Sequence, residues 1–217
     1  MVWFEGQDCL DKGYDACGTL EFCKGLDEED HIIYGYRMIM QSSSLSSCGN
    51  SGSINNSSSS KEITKGSCSA GQAPVIRLQP GRRYRLTLSN SIDDIHDYES
   101  ITNLHTHGLH ISGMGSSDNV LRRVSPGHCL DYSWDIPEDH PGGTYWYHPH
   151  GHGTSDYQVG RGAYGLLLVE DDKEDAPAWA RNELWLQISV VFRRVVLANG
   201  KTYEALNVEP RKWYRLR

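Results

Sequence analysis

The chain has 217 residues, which is enough for one compact domain and part of a second. Its 21 Lys and Arg residues against 28 Asp and Glu give a formal charge of -7 with no basic block, so nucleic acid is excluded as an expected partner. No apolar run approaches the roughly 18 residues that a membrane-spanning helix needs.

The first thirty residues are acidic and carry three of the six cysteines, and no periodicity is sustained there. We expect residues 1–30 to form a loop-rich, Cys-bearing extension. Residues 31–40 are rich in β-formers and are predicted to be the first strand. Residues 41–66 are dominated by Ser, Gly and Asn, which offer little apolar surface to bury, so this segment is predicted to be a mobile surface insertion.

Short segments with strand character follow, each bounded by Gly or Pro. They are Val75–Leu78, Tyr84–Leu88, Leu130–Ile136, Thr144–His148 and Gly162–Val169. No stretch of this region has a helical period. The pattern predicts an all-β sandwich or barrel, which we place at residues 31–171.

A charged segment at 172–181 contains Pro177 and is predicted to be a linker. Beyond it, Glu183–Ile188 and Val190–Leu197 are predicted strands, and Asn199-Gly200 is a strong turn dipeptide. We expect residues 182–217 to be the truncated start of a second domain, because the chain stops within a segment that has strand character.

The cysteines are even in number and include no C-x-x-C pair, which favours disulfides of unassigned pairing in an oxidising compartment. They are Cys9, Cys17, Cys23, Cys48, Cys68 and Cys129. Two overlapping glycosylation sequons at 55–58 also favour a secreted, extracellular or cell-wall glycoprotein. No signal peptide follows Met1, so we expect a start further upstream, unless export takes another route.

Four of the ten histidines form two pairs with one spacing, His105-Thr106-His107 and His148-Pro149-His150. On a strand, residues i and i+2 project from the same face, so each pair can direct two imidazoles to one place. Imidazole suits Cu, Zn, Fe and Ni, and the lack of neighbouring Asp, Glu or Cys at ligand spacing favours Cu or Zn. Glycines at 108 and 151 allow close backbone packing around such a site. The alternative is a pair of surface or hydrogen-bonded motifs without metal.

The segments Asn103–Leu109 and Asp139–Gly153 closely resemble the two copper motifs in the first domain of multicopper oxidases. The resemblance covers roughly residues 74–171 and includes the Pro126-Gly127 turn, and residues 182–217 more loosely resemble the opening of the family's second domain. It implies a cupredoxin-type, plastocyanin-like Greek-key β-sandwich. It also implies a laccase-like oxidoreductase that couples one-electron oxidation of a small reducing substrate to the four-electron reduction of O2 to water.

The resemblance implies a role for each histidine of the two pairs. His105 matches a ligand of the type 2 copper, and His107, His148 and His150 match ligands of the type 3 copper pair. Asp118 lies where the family has an acid that helps to deliver protons, although Asn119 replaces the usual glycine; the alternative is an exposed loop aspartate. Trp146 and Tyr147 are expected in the core or around the ligands.

The other histidines match no ligand of the family. By strand parity His110 is expected to be structural or exposed, and His152 is expected next to the ligands. The remaining four are predicted to be ordinary surface or loop residues: His31, His96, His128 and His140.

The sequence contains no His-Cys-His motif, so the type 1 copper site is absent from this chain; the one His-Cys pair is His128-Cys129. The resemblance therefore implies half of a type 2/type 3 copper cluster, inactive alone, that a missing C-terminal cupredoxin domain or another subunit completes. The alternative is a copper-binding cupredoxin-like protein that is non-catalytic alone or uses its metal only structurally. The reducing substrate is not indicated.

Overall fold

We determined the fold from a computed structural model, which describes residues 7–27, 29–39, 68–92, 96–171, 177, 182–202 and 205–217. The predicted insertion at 41–66, with its sequons and Cys48, lies outside the described residues, as does most of the predicted linker. Among the described helices, none has the length and apolarity needed to cross a bilayer.

The described chain is almost entirely β-structure, with two short helices, α1 (Gln7–Leu10) and α2 (Ser155–Gly160), and one 3-10 turn at Tyr98–Ser100. The strands are β1 (Ala16–Leu26), β2 (Ile32–Met38), β3 (Ile76–Leu78), β4 (Arg83–Asn90), β5 (His105–His107), β6 (Cys129–Asp135), β7 (Gly143–His148), β8 (Gly165–Val169), β9 (Glu183–Leu184), β10 (Ile188–Val191), β11 (Val195–Ala198) and β12 (Arg215–Leu216).

Two four-stranded sheets face each other and form a sandwich, in the orders β2-β1-β4-β6 and β3-β8-β7-β5. Their inner faces supply one core, in which Tyr36 of the first sheet contacts Tyr147 of the second at 5.4 Å between ring centroids. The predicted all-β, cupredoxin-type Greek-key β-sandwich is confirmed. The turn within Val75–Leu88 carries the chain from β3 in one sheet to β4 in the other, so these two consecutive strands do not pair with each other.

The expectation of a loop-rich extension over residues 1–30 was wrong, because an eleven-residue strand begins at Ala16. It is a central strand, antiparallel to β2 and parallel to β4, and eight consecutive residues at its start are buried. The buried Glu21 in its middle forms an ion pair with Arg37, its cross-strand partner in β2. That pairing explains how an acidic residue is accommodated in a core strand.

The expectation of disulfides is confirmed for the described cysteines. Cys9 bonds Cys17, Cys23 bonds Cys68, and Cys129 is disulfide-bonded as well. The first bond holds α1 against β1, and the second joins β1 to the segment that leads into β3.

Residues 182–217 form two small two-stranded sheets, β10-β11 and β12-β9. The predicted strand Val190–Leu197 is a hairpin instead, because Phe192 and Arg193 have positive φ values of 54° and 56°. Asn199-Gly200 does form the predicted turn, with both φ values positive. The Gln187 side chain donates to the Gly71 carbonyl at 2.9 Å, which attaches this segment to the sandwich.

Candidate metal centre

The histidines at the centre of the site lie on one face of the second sheet. Strand β5 pairs antiparallel with β7, so that His105 lies opposite His148 and His107 lies opposite Trp146. Cross-strand partners project from the same side of a sheet, and therefore these four rings share the outer face. The intervening Tyr147 points the other way into the core, where its hydroxyl donates to the Pro74 carbonyl at 2.7 Å.

The two predicted histidine pairs converge although about forty residues separate them. One ring nitrogen from each of His105, His107 and His148 can be chosen so that all three lie within 4.8 Å of one another. The ring of His150 is 5.0 Å from that of His105 and 5.9 Å from that of His148, between centroids. His148 is buried, whereas His107 and His150 are exposed.

The hydrogen bonds determine which nitrogens of two rings are free. Asp118 accepts a hydrogen bond from Nδ1 of His105 at 2.8 Å, and the Pro149 carbonyl accepts one from Nδ1 of His148 at 2.8 Å. Because carboxylates and carbonyls only accept, both rings carry their proton on Nδ1. Nε2 of each is left with a lone pair, and Nε2 of His148 lies 3.4 Å from Nδ1 of His107.

Electrostatics keeps His148 in the neutral form that binds metal. Burial is the main cause that lowers the pKa of His148 to about 4, and the neighbouring imidazoles lower it further. Near neutral pH, Nε2 of His148 therefore carries no proton that a metal ion would have to displace.

Asp118 is not an exposed loop aspartate. Its second carboxylate oxygen accepts the backbone N–H of Thr106 at 2.8 Å, and the side chain is 11% exposed. The carboxylate thus holds both the ring of His105 and the strand that carries it, as residues around a metal site commonly do.

The aromatic side chain of Trp146 stacks on two of the histidines. Its ring centroid lies 4.0 Å from that of His148 and 5.1 Å from that of His107, with interplanar angles of 22° and 28°. The residue is 37% exposed, so it belongs to the histidine face and not to the core.

The glycine after the first pair is required by its surroundings. Gly108 has φ +95°, and a Cβ there would lie 2.9 Å from the Tyr145 ring. The backbone at this point therefore turns away from β5 in a conformation that suits glycine.

His140 lies in the loop between β6 and β7, as predicted for a loop histidine, but it is buried and not at the surface. Its Nε2 accepts the backbone N–H of His110 at 3.0 Å, and its Nδ1 donates to the Pro141 carbonyl at 2.9 Å. Both nitrogens are occupied, so it supports the loops around the site without being a free ligand. His110 and His152 are exposed, and the hydrogen bonds of the described residues involve only the backbone of each.

Sequence reasoning missed two buried amides that hold the segments flanking the histidine motifs. Gln158 of α2 donates to the carbonyls of Glu99 and Ile101, and Asn103 accepts the backbone N–H of His150. In the sequence, Gln158 lies in a short helix that no periodicity revealed, and Asn103 is the first residue of the segment that resembles the first copper motif. Motif membership was the one signal that could have singled out Asn103.

The fold is a cupredoxin-type β-sandwich whose histidine face could hold a metal ion, and comparison with known proteins gives the family. A family model described as multicopper oxidase matches residues 59–174. Because this match spans more than half of the chain, the chain belongs to the multicopper oxidase family. The family implies copper and an oxidoreductase.

Among similar proteins is the multicopper oxidase mco of Staphylococcus aureus, 32% identical over 104 residues, which are 47% of this chain and 21% of that protein. The multicopper oxidase MCE of Talaromyces pinophilus is 33% identical over 90 residues, 40% of this chain and 14% of that protein. The cell division protein FtsP of Actinobacillus succinogenes is 27% identical over 104 residues, 46% of this chain and 20% of that protein. The matched part of the chain thus spans about a fifth or less of these relatives.

Solved structures share the fold. A multicopper oxidase from Campylobacter jejuni, described as a metallo-oxidase, superposes with a TM-score of 0.56 at 20% identity, covering 85% of this chain and 36% of that one. A multi-copper oxidase from Pediococcus acidilactici superposes with a TM-score of 0.54 at 16% identity, covering 86% and 37%.

Proposed function

We propose that this chain supplies half of the type 2/type 3 copper cluster of a multicopper oxidase, through His105, His107, His148 and His150. The observation that carries the proposal is the convergence of three imidazoles, two of which have their Nε2 lone pairs left free by hydrogen bonds at Nδ1. An all-nitrogen donor set of this kind suits copper.

When bound, the coppers would supply the redox chemistry that couples one-electron oxidation of a small reducing substrate to the four-electron reduction of O2 to water. The residues of this chain would bind the coppers and orient their histidine ligands. Asp118 keeps His105 in the Nδ1–H form, and its hydrogen bond to this ring supports a role for the carboxylate in holding or passing a proton. Trp146 covers one side of His148 and keeps water from that side of the ring.

The remaining ligands and the type 1 copper would come from a further cupredoxin domain or from another subunit. This part of the proposal is motivated by the ligand number, because four histidines cannot complete a three-copper site of the kind that the resemblance implies. We expect the isolated chain to bind Cu(II) weakly, to show no intense blue band and to sustain no O2 reduction.

The experiment is a Cu(II) titration of the 217-residue chain, followed by its visible spectrum and by O2 consumption with a phenolic reductant. Combined His105→Ala and His148→Ala substitutions should abolish most of the binding. The matched control replaces the exposed His110 and His152 with Ala and should retain it. Unchanged binding in the first variant, or an intense blue band in the parent, would show that the site is misplaced.

A second candidate is a copper-binding cupredoxin-like protein that is not catalytic. This candidate is supported by the similarity to a relative that is named as a cell division protein and not as an oxidase. The coding sequence after residue 217 discriminates between the two. A downstream His-Cys-His motif supports the oxidase, whereas a stop codon supports the alternative or completion by another subunit.

We also propose that the protein is secreted to the cell exterior or cell wall, on the support of the disulfides of β1 and β6. Fractionation of the producing cells tests this, and recovery of the protein with reduced thiols in the cytosol would contradict it.

A further inference from the structure

Asn103 connects the two histidine motifs through its buried amide. Its Oδ1 accepts the backbone N–H of His150 at 2.6 Å, and its Nδ2 donates to the Val120 carbonyl at 2.7 Å. The residue is fully buried. Asn103 lies two residues before β5. Its side chain therefore connects this segment to the turn after β7 and to the loop that carries Asp118.

His150 needs such an attachment more than the other three histidines do. The ladder between β5 and β7 ends at the pair His105 and His148, so His150 lies two residues beyond its last rung. Pro149 supplies no N–H, which makes the N–H of His150 the first backbone donor after β7. Within the described part of the chain, the bond to Asn103 is the one hydrogen bond of His150.

The distances indicate what the amide controls. His105, His107 and His148 offer nitrogens within 4.8 Å of one another, whereas His150 approaches from outside this trio, with its ring 5.0 Å from that of His105. A small rotation of the turn at 149–151 would take its ring away from the trio without disturbing the β5–β7 ladder.

We infer that Asn103 is a positioning residue that holds His150 in reach of the other three histidines, so that the fourth imidazole joins the copper site only while the amide is in place. This inference rests on the proposed function. It assigns Asn103 no contact with copper or substrate.

Two substitutions separate the bond to His150 from the bond to Val120. Asn103→Ala removes both, and Asn103→Asp keeps an acceptor for the N–H of His150 while its carboxylate cannot donate to the Val120 carbonyl. Both lose the amide donor to Val120, and Asn103→Asp also adds a buried charge, so tighter Cu(II) binding by Asn103→Asp than by Asn103→Ala reports the bond to His150. Asn90→Ala is the control, since Asn90 is equally buried and donates to the carbonyls of Ser100 and Val124.

The experiment is a double-mutant cycle on the full chain, with Cu(II) affinity measured by chelator competition and bound nitrogens counted by electron paramagnetic resonance. We expect Asn103→Ala to weaken Cu(II) binding roughly tenfold and to remove one nitrogen, as loss of support around a ligand does. In a His150→Ala background the same substitution should have no further effect. Asn103→Asp, which keeps the acceptor for the N–H of His150, should bind Cu(II) more tightly than Asn103→Ala, and Asn90→Ala should lower only the stability.

Equal weakening by Asn103→Ala with and without His150 would overturn the inference. A separate measurement on the parent chain applies even if a variant fails to fold: the amide of His150 should be protected from hydrogen exchange, and exchange at the rate of an exposed amide would also overturn it. If substitution of His105 and His148 leaves Cu(II) binding unchanged, the proposed function fails. If substitution of His105 and His148 abolishes Cu(II) binding, but the effects of Asn103→Ala and His150→Ala simply add, only the inference about Asn103 fails.

Discussion

Replacing Asp118 with asparagine changes one atom of the side chain and tests how the carboxylate acts. Both of its oxygens are acceptors in the structure, one for Nδ1–H of His105 and one for the N–H of Thr106, each at 2.8 Å. An asparagine of the same shape has one acceptor and one donor, so it cannot satisfy both neighbours.

Each orientation of the new amide has a measurable consequence. If its oxygen remains with Thr106, its NH2 group faces Nδ1 of His105 and moves the ring proton to Nε2, which removes the lone pair that faces the cluster. Cu(II) affinity should then fall by about tenfold to hundredfold, or about 1.4 to 2.7 kcal/mol. If the oxygen turns to His105, two donors oppose each other at Thr106, which costs about 1 to 3 kcal/mol of folding stability.

The assay combines Cu(II) competition titration with urea unfolding of the metal-free chain, and ¹⁵N NMR of His105 identifies its tautomer. Asp135→Asn is the matched control, because it makes the same charge change in an ion pair with Arg83 on the surface of the first sheet. If Asp118→Asn binds copper as tightly as the parent and unfolds at the same urea concentration, the assigned role of the carboxylate is refuted.

Three further predictions concern the surroundings of the site. Cu(II) should quench tryptophan fluorescence in the parent but much less in Trp146→Phe, because this indole stacks on a ligand ring at 4.0 Å between centroids. The control Trp134→Phe, in the other sheet, should leave the quenching intact. Equal quenching in the parent and both variants would contradict the stacking. Burial raises the pKa of Tyr132 to about 12. The contribution of the protonated phenol to stability is therefore complete below the pKa of tyrosine in the unfolded chain, near 10, and is lost as pH rises from about 10 towards 12. Urea midpoints that stay constant over this pH range would refute this prediction. Gly165→Ala places a Cβ 2.3 Å from the tyrosine ring opposite and should cost about 1 to 3 kcal/mol in urea unfolding, whereas Gly160→Ala meets nothing within 4 Å and should not destabilise.

The strands and histidine pairs were predictable from sequence because they depend on local periodicity. The i, i+2 spacing placed His105 with His107 on one face, and the motif resemblance connected them with His148. Strand β1 was not predictable in the same way, since Gly18, Glu21, Lys24 and Gly25 interrupt its apolar pattern. Its stability comes from pairing with β2 and β4, which is a nonlocal property.

Positions that depend on loop conformation were the least predictable. The spacing of Asp118 from the first histidine pair does not reveal that it reaches Nδ1 of His105, because the intervening loop determines this. Asn103 and His140 resemble solvent-exposed loop residues in sequence, yet both are buried and hold loops beside the site. The hairpin within Val190–Leu197 depends on two positive φ values at residues for which sequence would not suggest them.

Diffraction from copper-loaded crystals, recorded on both sides of the copper absorption edge, tests the central claim most directly. We expect an anomalous peak among the ring nitrogens of His105, His107 and His148, with His150 on its open side. A peak elsewhere, such as the acidic turn at Asp27–His31, or no peak in crystals whose protein contains bound copper, would contradict the assignment of this face as the metal centre.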